Sequence, residues 1–210
     1  AEADLSKADL TSALATAEAN FSAALLTEAN MTKADFSTSD LSDADLSKST
    51  LTGAVMVESI LTGADFSDTS MTNANFTGAN LTGANMKKAI MTGAQFLEAD
   101  FTAADLSNAN LVNAVLSSVV CTGANLSSAV LINATLDAAV LTGVTLQSAD
   151  LTGCDLSGTD LTEADLSSAD MTQATLADAV LSQASMMTAK LTGVVWSNTT
   201  CPDDTKSNDH

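Results

Sequence analysis

The 210-residue chain has no arginine and no tyrosine, and holds only one histidine, one proline, one tryptophan and three cysteines. Nowhere do its apolar residues run together for the ~20 positions that a membrane-spanning helix needs, so membrane insertion is not expected. Seven lysines stand against 26 acidic residues, a formal net charge of −19. Direct nucleic-acid binding depends on basic patches and is therefore disfavoured, although imitation of a nucleic acid is not. With its one histidine at position 210, acid–base chemistry would fall to carboxylates, lysines and hydroxyls, and no catalytic constellation, cofactor site or metal site is expected. Carboxylates suit hard cations, but no loop gathers the ligands that such an ion requires. Three cysteines do not read as a disulfide framework.

What the chain does have is a phrase of five residues, repeated thirty-six times without a break over residues 19–198. The central apolar position, i, falls on Phe21, Leu26, Met31, Phe36, Leu41 and every fifth residue to Trp196, and only Cys121 and Trp196 depart from Leu, Phe or Met. Two residues earlier stands Ala or another small residue, such as Ser39, Thr69, Val119 or Cys154. A period of five matches neither a helix nor a strand. It implies a solenoid, in which a unit too short to bury its own apolar residue does so by stacking. Cys121 and Cys154 then read as small core residues. All ten glycines fall at i+2, where a type II turn needs positive φ, and Ser or Thr fills i+1 in twenty-seven repeats, where hydroxyls satisfy corner backbone groups.

Stretches such as Ala64-Asp65-Phe66-Ser67-Asp68 and Ala79-Asn80-Leu81-Thr82-Gly83 resemble the A(D/N)LXX signature of pentapeptide-repeat proteins, including cyanobacterial and plastid members. The resemblance covers about nine-tenths of the chain. It implies an all-β fold, a right-handed quadrilateral β-helix with four repeats per square coil and positions i and i−2 inward. Thirty-six repeats make about nine uninterrupted coils, and a spacing of roughly 4.8 Å predicts a rod about 43 Å tall. One interior column should hold Phe36, Phe76, Phe96 and Trp196, most of the aromatic residues.

The pattern divides the chain into an opening segment, 1–18, the solenoid, 19–198, and a polar tail, 199–210. Ala3-Asp4-Leu5 and Ala8-Asp9-Leu10 are repeat-like but one residue out of register with Phe21. Two readings fit: an offset partial coil, which the intact motifs favour, or a capping helix over residues 8–19 with Leu10, Leu14 and Ala17 on one face. An open solenoid end is an exposed sheet edge, so a cap is needed, and Trp196 is the candidate at the far end. Beyond it the repeat breaks. Cys201-Pro202-Asp203 resembles the endings of many cyanobacterial and plastid family members, in which a second cysteine can follow; none follows Cys201 here. That ending, with an N-terminal Ala where Met would mark a start, suggests an exported or lumenal protein of the periplasm or thylakoid lumen, with the cytoplasm as the alternative.

Function is sought where the phrase varies. Acidic residues crowd positions 35–68 and 150–178, whereas between Leu106 and Ala149 only Asp137 is charged. In this waist the outward positions include Val112, Val120, Val130, Ile132 and Val140, with Ile90 two coils from Val130, a candidate patch for contact with another protein or a second copy. β-Branched residues also suit strand-like walls, which is the plainer reading. Thr62, Thr82, Thr102, Thr122, Thr142 and Thr162 recur by twenty and form a hydroxyl ladder, for which ice binding is a remote reading. The main expectation is a non-catalytic scaffolding or protein-binding rod. The alternative, drawn from family members that act on DNA gyrase, is an acidic rod that imitates DNA and modulates a topoisomerase.

Overall fold

The computed structural model describes residues 3–15 and 18–207. From Asn20 paired with Asp40 to Val180 paired with Thr200, each residue at i−1 forms a parallel bridge to the residue twenty positions on. Backbone hydrogen bonds run both ways across each bridge. Phe21 N–H donates to the Asp40 carbonyl at 2.7 Å, and Asp40 N–H donates to the Ala19 carbonyl at 2.9 Å. Four short sides and four corners close each coil, giving a right-handed quadrilateral β-helix with four walls. Wall 1 points Phe21, Leu41 and Leu61 inward; wall 2, Leu26, Leu46 and Phe66; wall 3, Met31, Leu51 and Met71; wall 4, Phe36, Met56 and Phe76. Each series continues by twenties.

The corners follow from one dihedral. In every repeat from Phe21 to Leu191 the N–H three residues on donates back to the carbonyl of i, as Ala24 does to Phe21 at 2.9 Å. The residue at i+2 has positive φ in all thirty-six repeats, at ten glycines and at twenty-six other residues, while no i+1 residue does. That combination defines a type II turn. Glycine is thus the relaxed choice at these corners but not a requirement.

Inside, Ala and Leu at i−2 and i are almost without exposure from coil to coil, because a small residue leaves the room that the large one fills. On wall 4, Phe76 and Phe96 stack with ring centres 5.2 Å apart, and Phe66 and Phe101 meet them edge-on at 6.0 and 5.1 Å. Where i−2 is polar, its hydroxyl is satisfied locally: Ser59 Oγ donates to the Met56 carbonyl at 2.7 Å and Thr69 Oγ1 to the Leu46 carbonyl at 2.9 Å. Ser39 Oγ, fully buried, has no partner among the described residues. Cys121 and Cys154 are buried free thiols, each pushed by burial up to about 12, so neither supplies a thiolate.

Both ends differ in part from the sequence expectation. Asp4, Asp9 and Leu14 pair with Leu25, Asn30 and Asp35, twenty-one positions on, so the opening segment is a coil carrying one extra residue between Leu14 and Asn20. Among the described residues there is no α-helix, and the helical alternative over residues 8–19 does not form; Ala17 lies outside the described residues. Ladder bonds to the coil above claim the backbone groups that a helix would use, as when Leu10 N–H donates to the Asn30 carbonyl at 2.7 Å. At the other end the coil does not stop at 198. Thr199 is fully buried at an i−2 position, donates Oγ1 to the Leu176 carbonyl at 2.6 Å, and leads into Thr200, the last rung on Val180. The chain then turns back, so Thr200 pairs antiparallel with Lys206 and Ser207 N–H donates to the Thr199 carbonyl at 2.9 Å. Residues 199–207 therefore form a hairpin laid along the wall 1 edge.

Candidate interaction surface

The register divides the six residues of the candidate patch between two opposite walls. Ile90, Val112, Val130 and Ile132 stand on wall 3, in three successive coils linked through the Ile90, Asn110 and Val130 rungs. Val120 and Val140 are paired neighbours on wall 1, across the rod, between the rungs of Asp100 and Asp160. They do not belong to the same patch. Ile90 is 46% exposed and Val140 37%, while Val112, Val120, Val130 and Ile132 are half-buried by the coils above and below.

The threonine ladder also stands on wall 1, and the hydroxyls of Thr102, Thr142 and Thr162 are engaged by carboxylates. Thr102 Oγ1 donates to Asp100 Oδ1 and Thr162 Oγ1 to Asp160 Oδ1, each at 2.6 Å, while Thr142 Oγ1 reaches Asp160 Oδ2 at 3.2 Å. A ladder in which half the hydroxyls turn toward carboxylates on its own wall is an interrupted template for ordered water. Trp196 is half-buried in the wall 4 column beyond Leu176 and packs against the core; its chain neighbour Val195 is exposed, as is Met187 on wall 2. The end is shared between this ring and the 201–207 hairpin. Cys201 carries a free, half-buried thiol, and His210 lies outside the described residues.

Two features of the surface were missed in the sequence. Asp or Asn at i−1 and the hydroxyl residue at i+1 are partners: Asp35 Oδ1 accepts the backbone N–H of Ser37 at 2.9 Å and its hydroxyl at 2.6 Å. The hydroxyl bond first, and the backbone bond with it, hold the Asp35 carboxyl below its usual range. The acidic wall is thus part of each corner. The spacing of two that carries this bond recurs throughout the sequence.

The second feature is how charge is distributed among walls. Within residues 19–198, walls 1 and 4 carry eleven carboxylates and no lysine, and wall 2 carries six carboxylates with Lys48, Lys87 and Lys88. Wall 3 has only Asp150, Asp170, Lys33 and Lys190, a net charge of zero, and Lys190 Nζ donates to Asp170 Oδ2 at 2.9 Å. Between Lys33 and Asp150 the outward residues of wall 3 hold no charge over five coils, residues 49–133, and are Thr, Ser, Asn, Gly, Val and Ile. Among the described residues no group of His, Cys, Asp and Glu could hold a metal ion, and no helix is long and apolar enough to cross a membrane.

A four-sided right-handed β-solenoid built from five-residue repeats defines the class, and the chain belongs to the pentapeptide repeats family. The family profile matches eight overlapping stretches, from residues 3–43 to residues 154–193. Among solved structures, HetL, a pentapeptide repeat protein involved in heterocyst differentiation regulation from the cyanobacterium Nostoc sp. strain PCC 7120, is 29% identical with a TM-score of 0.52, over 97% of this chain and 91% of HetL. QnrB1, a plasmid-mediated fluoroquinolone resistance protein, is 21% identical with a TM-score of 0.45, over 87% of this chain and 91% of that one. AT2G44920, from the Arabidopsis thaliana thylakoid lumen, is 26% identical with a TM-score of 0.34, over 48% of this chain and 66% of its own. No curated protein sequence matches the chain significantly.

Proposed function

We propose that this protein is a non-catalytic binding scaffold, a rigid acidic rod that engages another protein through its neutral wall. The observation that supports this reading is the segregation of charge: seventeen carboxylates and three lysines fall on three walls, while wall 3 balances to zero and holds exposed Ile90 beside Val112, Val130 and Ile132. Loss of charge with gain of aliphatic surface is the composition of an interface centre. Burial keeps the Cys121 and Cys154 thiols protonated, and the chain has no arginine to clamp an oxyanion. Photo-crosslinking from position 112 of the full chain, in cells of the source organism, tests the reading. Adducts with a protein, lost in the Val130→Asp/Ile132→Asp variant, are expected; a chain that yields no protein adduct from wall 3 overturns it.

A second reading, imitation of DNA, draws support from walls 1 and 4, adjacent faces with eleven carboxylates and no lysine. A supercoiling assay with DNA gyrase separates the two, since an enzyme unaffected at saturating protein removes the second.

A further inference from the structure

We infer that wall 3 joins two copies of this chain face to face, with the rods antiparallel about the coil that contains Val112; this rests on the reading of wall 3 as the binding surface and names its occupant. Two copies of a −19 chain repel, and apposing any other pair of walls brings carboxylates together. Only wall 3 lets like rods meet without that cost. A partner of opposite charge would gain more from walls 1 and 4, so a neutral wall on an acidic rod selects a like-charged occupant.

Charge also chooses the orientation. A parallel pair, whose two-fold runs along the rods and reverses the strand direction, would set Asp150 opposite Thr152 and Asp170 opposite Thr172, leaving both copies of each aspartate crowded into one coil layer. Reversing the second rod about the Leu111 coil sets Val112 against Val112 at the two-fold axis and Val130 and Ile132 against Ile90 and Thr92. It also sets Asp150 opposite Ser70, and Asp170 opposite Thr50. Along the corner between walls 2 and 3 the same operation sets Asp68 opposite Ser148 and Lys88 opposite Ser128. Such a contact is isologous and closes on itself.

The area suffices. The accessible surface of 8618 Å² is shared among four walls and two ends, so each wall offers at most roughly 2,000 Å². Its five uncharged coils of nine then offer about 1,000 Å² per copy, against the ~800 Å² of a standard interface. An unbroken ladder keeps the wall flat enough for contact along its length.

Sedimentation velocity of the full chain over a concentration series tests this. The expected result is a species of twice 21.2 kDa whose dissociation constant falls as salt rises from 20 to 500 mM on the order of the Debye screening of repelling rods. The Val130→Asp/Ile132→Asp variant should weaken association by roughly 100-fold. Circular dichroism and the melting curve of that variant establish that it folds. In a Cys201→Ser background, Val112→Cys chains should crosslink to one another on oxidation, and Thr72→Cys chains should crosslink to Thr152→Cys chains but neither to itself. A Thr152→Cys homodimer would overturn the antiparallel register. A monomer at every concentration and salt would overturn self-association. If wall 3 adducts with a different protein persist in cells, the binding-scaffold reading stands while this inference fails; if they too are absent, both fail.

Discussion

Asp40 Oδ1 accepts two hydrogen bonds from Ser42, the backbone N–H at 2.9 Å and the hydroxyl at 2.6 Å. The pair pins the corner of one repeat, and the hydroxyl bond, followed by the backbone bond, lowers the Asp40 carboxyl. Asp170 is lowered furthest, to about 2, first by Lys190 and then by the Thr172 hydroxyl and backbone. A carboxylate whose pKa is depressed by folding adds stability that is complete above its unfolded value near 3.9 and is lost as pH falls through its folded value. Urea midpoints should therefore fall from about pH 4 down to about pH 2. A midpoint that rises on acidification over that window would show that relief of the negative charge outweighs the corner bonds. Asp40→Asn keeps the acceptor oxygen and should be near neutral, whereas Asp40→Ala should cost about 0.5–1.5 kcal/mol.

Gly63 and Gly83 share a wall 1 corner column and similar positive φ, 69° and 66°, but not the same neighbours. A Cβ on Gly63 would lie 2.5 Å from Asp43 Oδ1, whereas one on Gly83 would meet nothing within 4 Å. Both Gly83→Ala and Gly63→Ala should cost about 1 kcal/mol for the left-handed backbone, because the exposed Asp43 carboxylate can swing away from a Cβ at position 63. Ala103, at φ 57° in the same column, offers the reverse experiment. Ala103→Gly should be neutral to stabilising by thermal melting, contrary to what the same change does in a helix.

Ser39 and Ser59 stand one above the other in the core, yet only Ser59 finds an acceptor, the Met56 carbonyl. Ser39→Ala should raise stability by up to ~1 kcal/mol, since it removes a buried hydroxyl without a partner. Ser59→Ala should lower it or leave it unchanged. Equal effects in chemical denaturation would show that Ser39 is satisfied in solution.

Phe96 touches both Phe76 and Phe101. Phe96→Ala leaves a void beneath an unbroken ladder and should cost about 3–5 kcal/mol. Because each coil touches only its neighbours, hydrogen exchange should accelerate first within one coil on either side of position 96 rather than uniformly.

Thr199 ties the end of the ladder to the returning hairpin through Leu176 and Ser207. Thr199→Val keeps its volume and loses both the hydroxyl bond and its shield against fraying. Amides of Leu181 and Gln183, which donate to Thr200 and Pro202, should then exchange faster while those near Leu111 do not change.

The periodicity of Phe21, Leu26 and their successors made the coil, its interior columns and its glycine corners legible, because in a solenoid a single spacing decides both burial and pairing. The surface was less so. Spacing by twenty placed Val112, Val130 and Ile132 together, but grouping Val120 and Val140 with them followed the composition of a segment rather than the wall each residue occupies. Sequence neighbourhood is a poor guide to surface neighbourhood when successive repeats face different directions. Thr199 extends the periodicity one more step, and its bond to Leu176 repeats that of Thr69 to Leu46; what no repeat encodes is Ser207 folding back onto it.

The one residue inserted between Leu14 and Asn20 leaves the rungs on either side intact: Leu14 still pairs with Asp35 and Asn20 with Asp40. One added residue is thus absorbed between two rungs, and a whole turn of twenty would add a coil without turning any face. Inserting a single repeat of five, by contrast, would rotate the faces beyond it by a quarter turn and hand the neutral wall's place to a charged one.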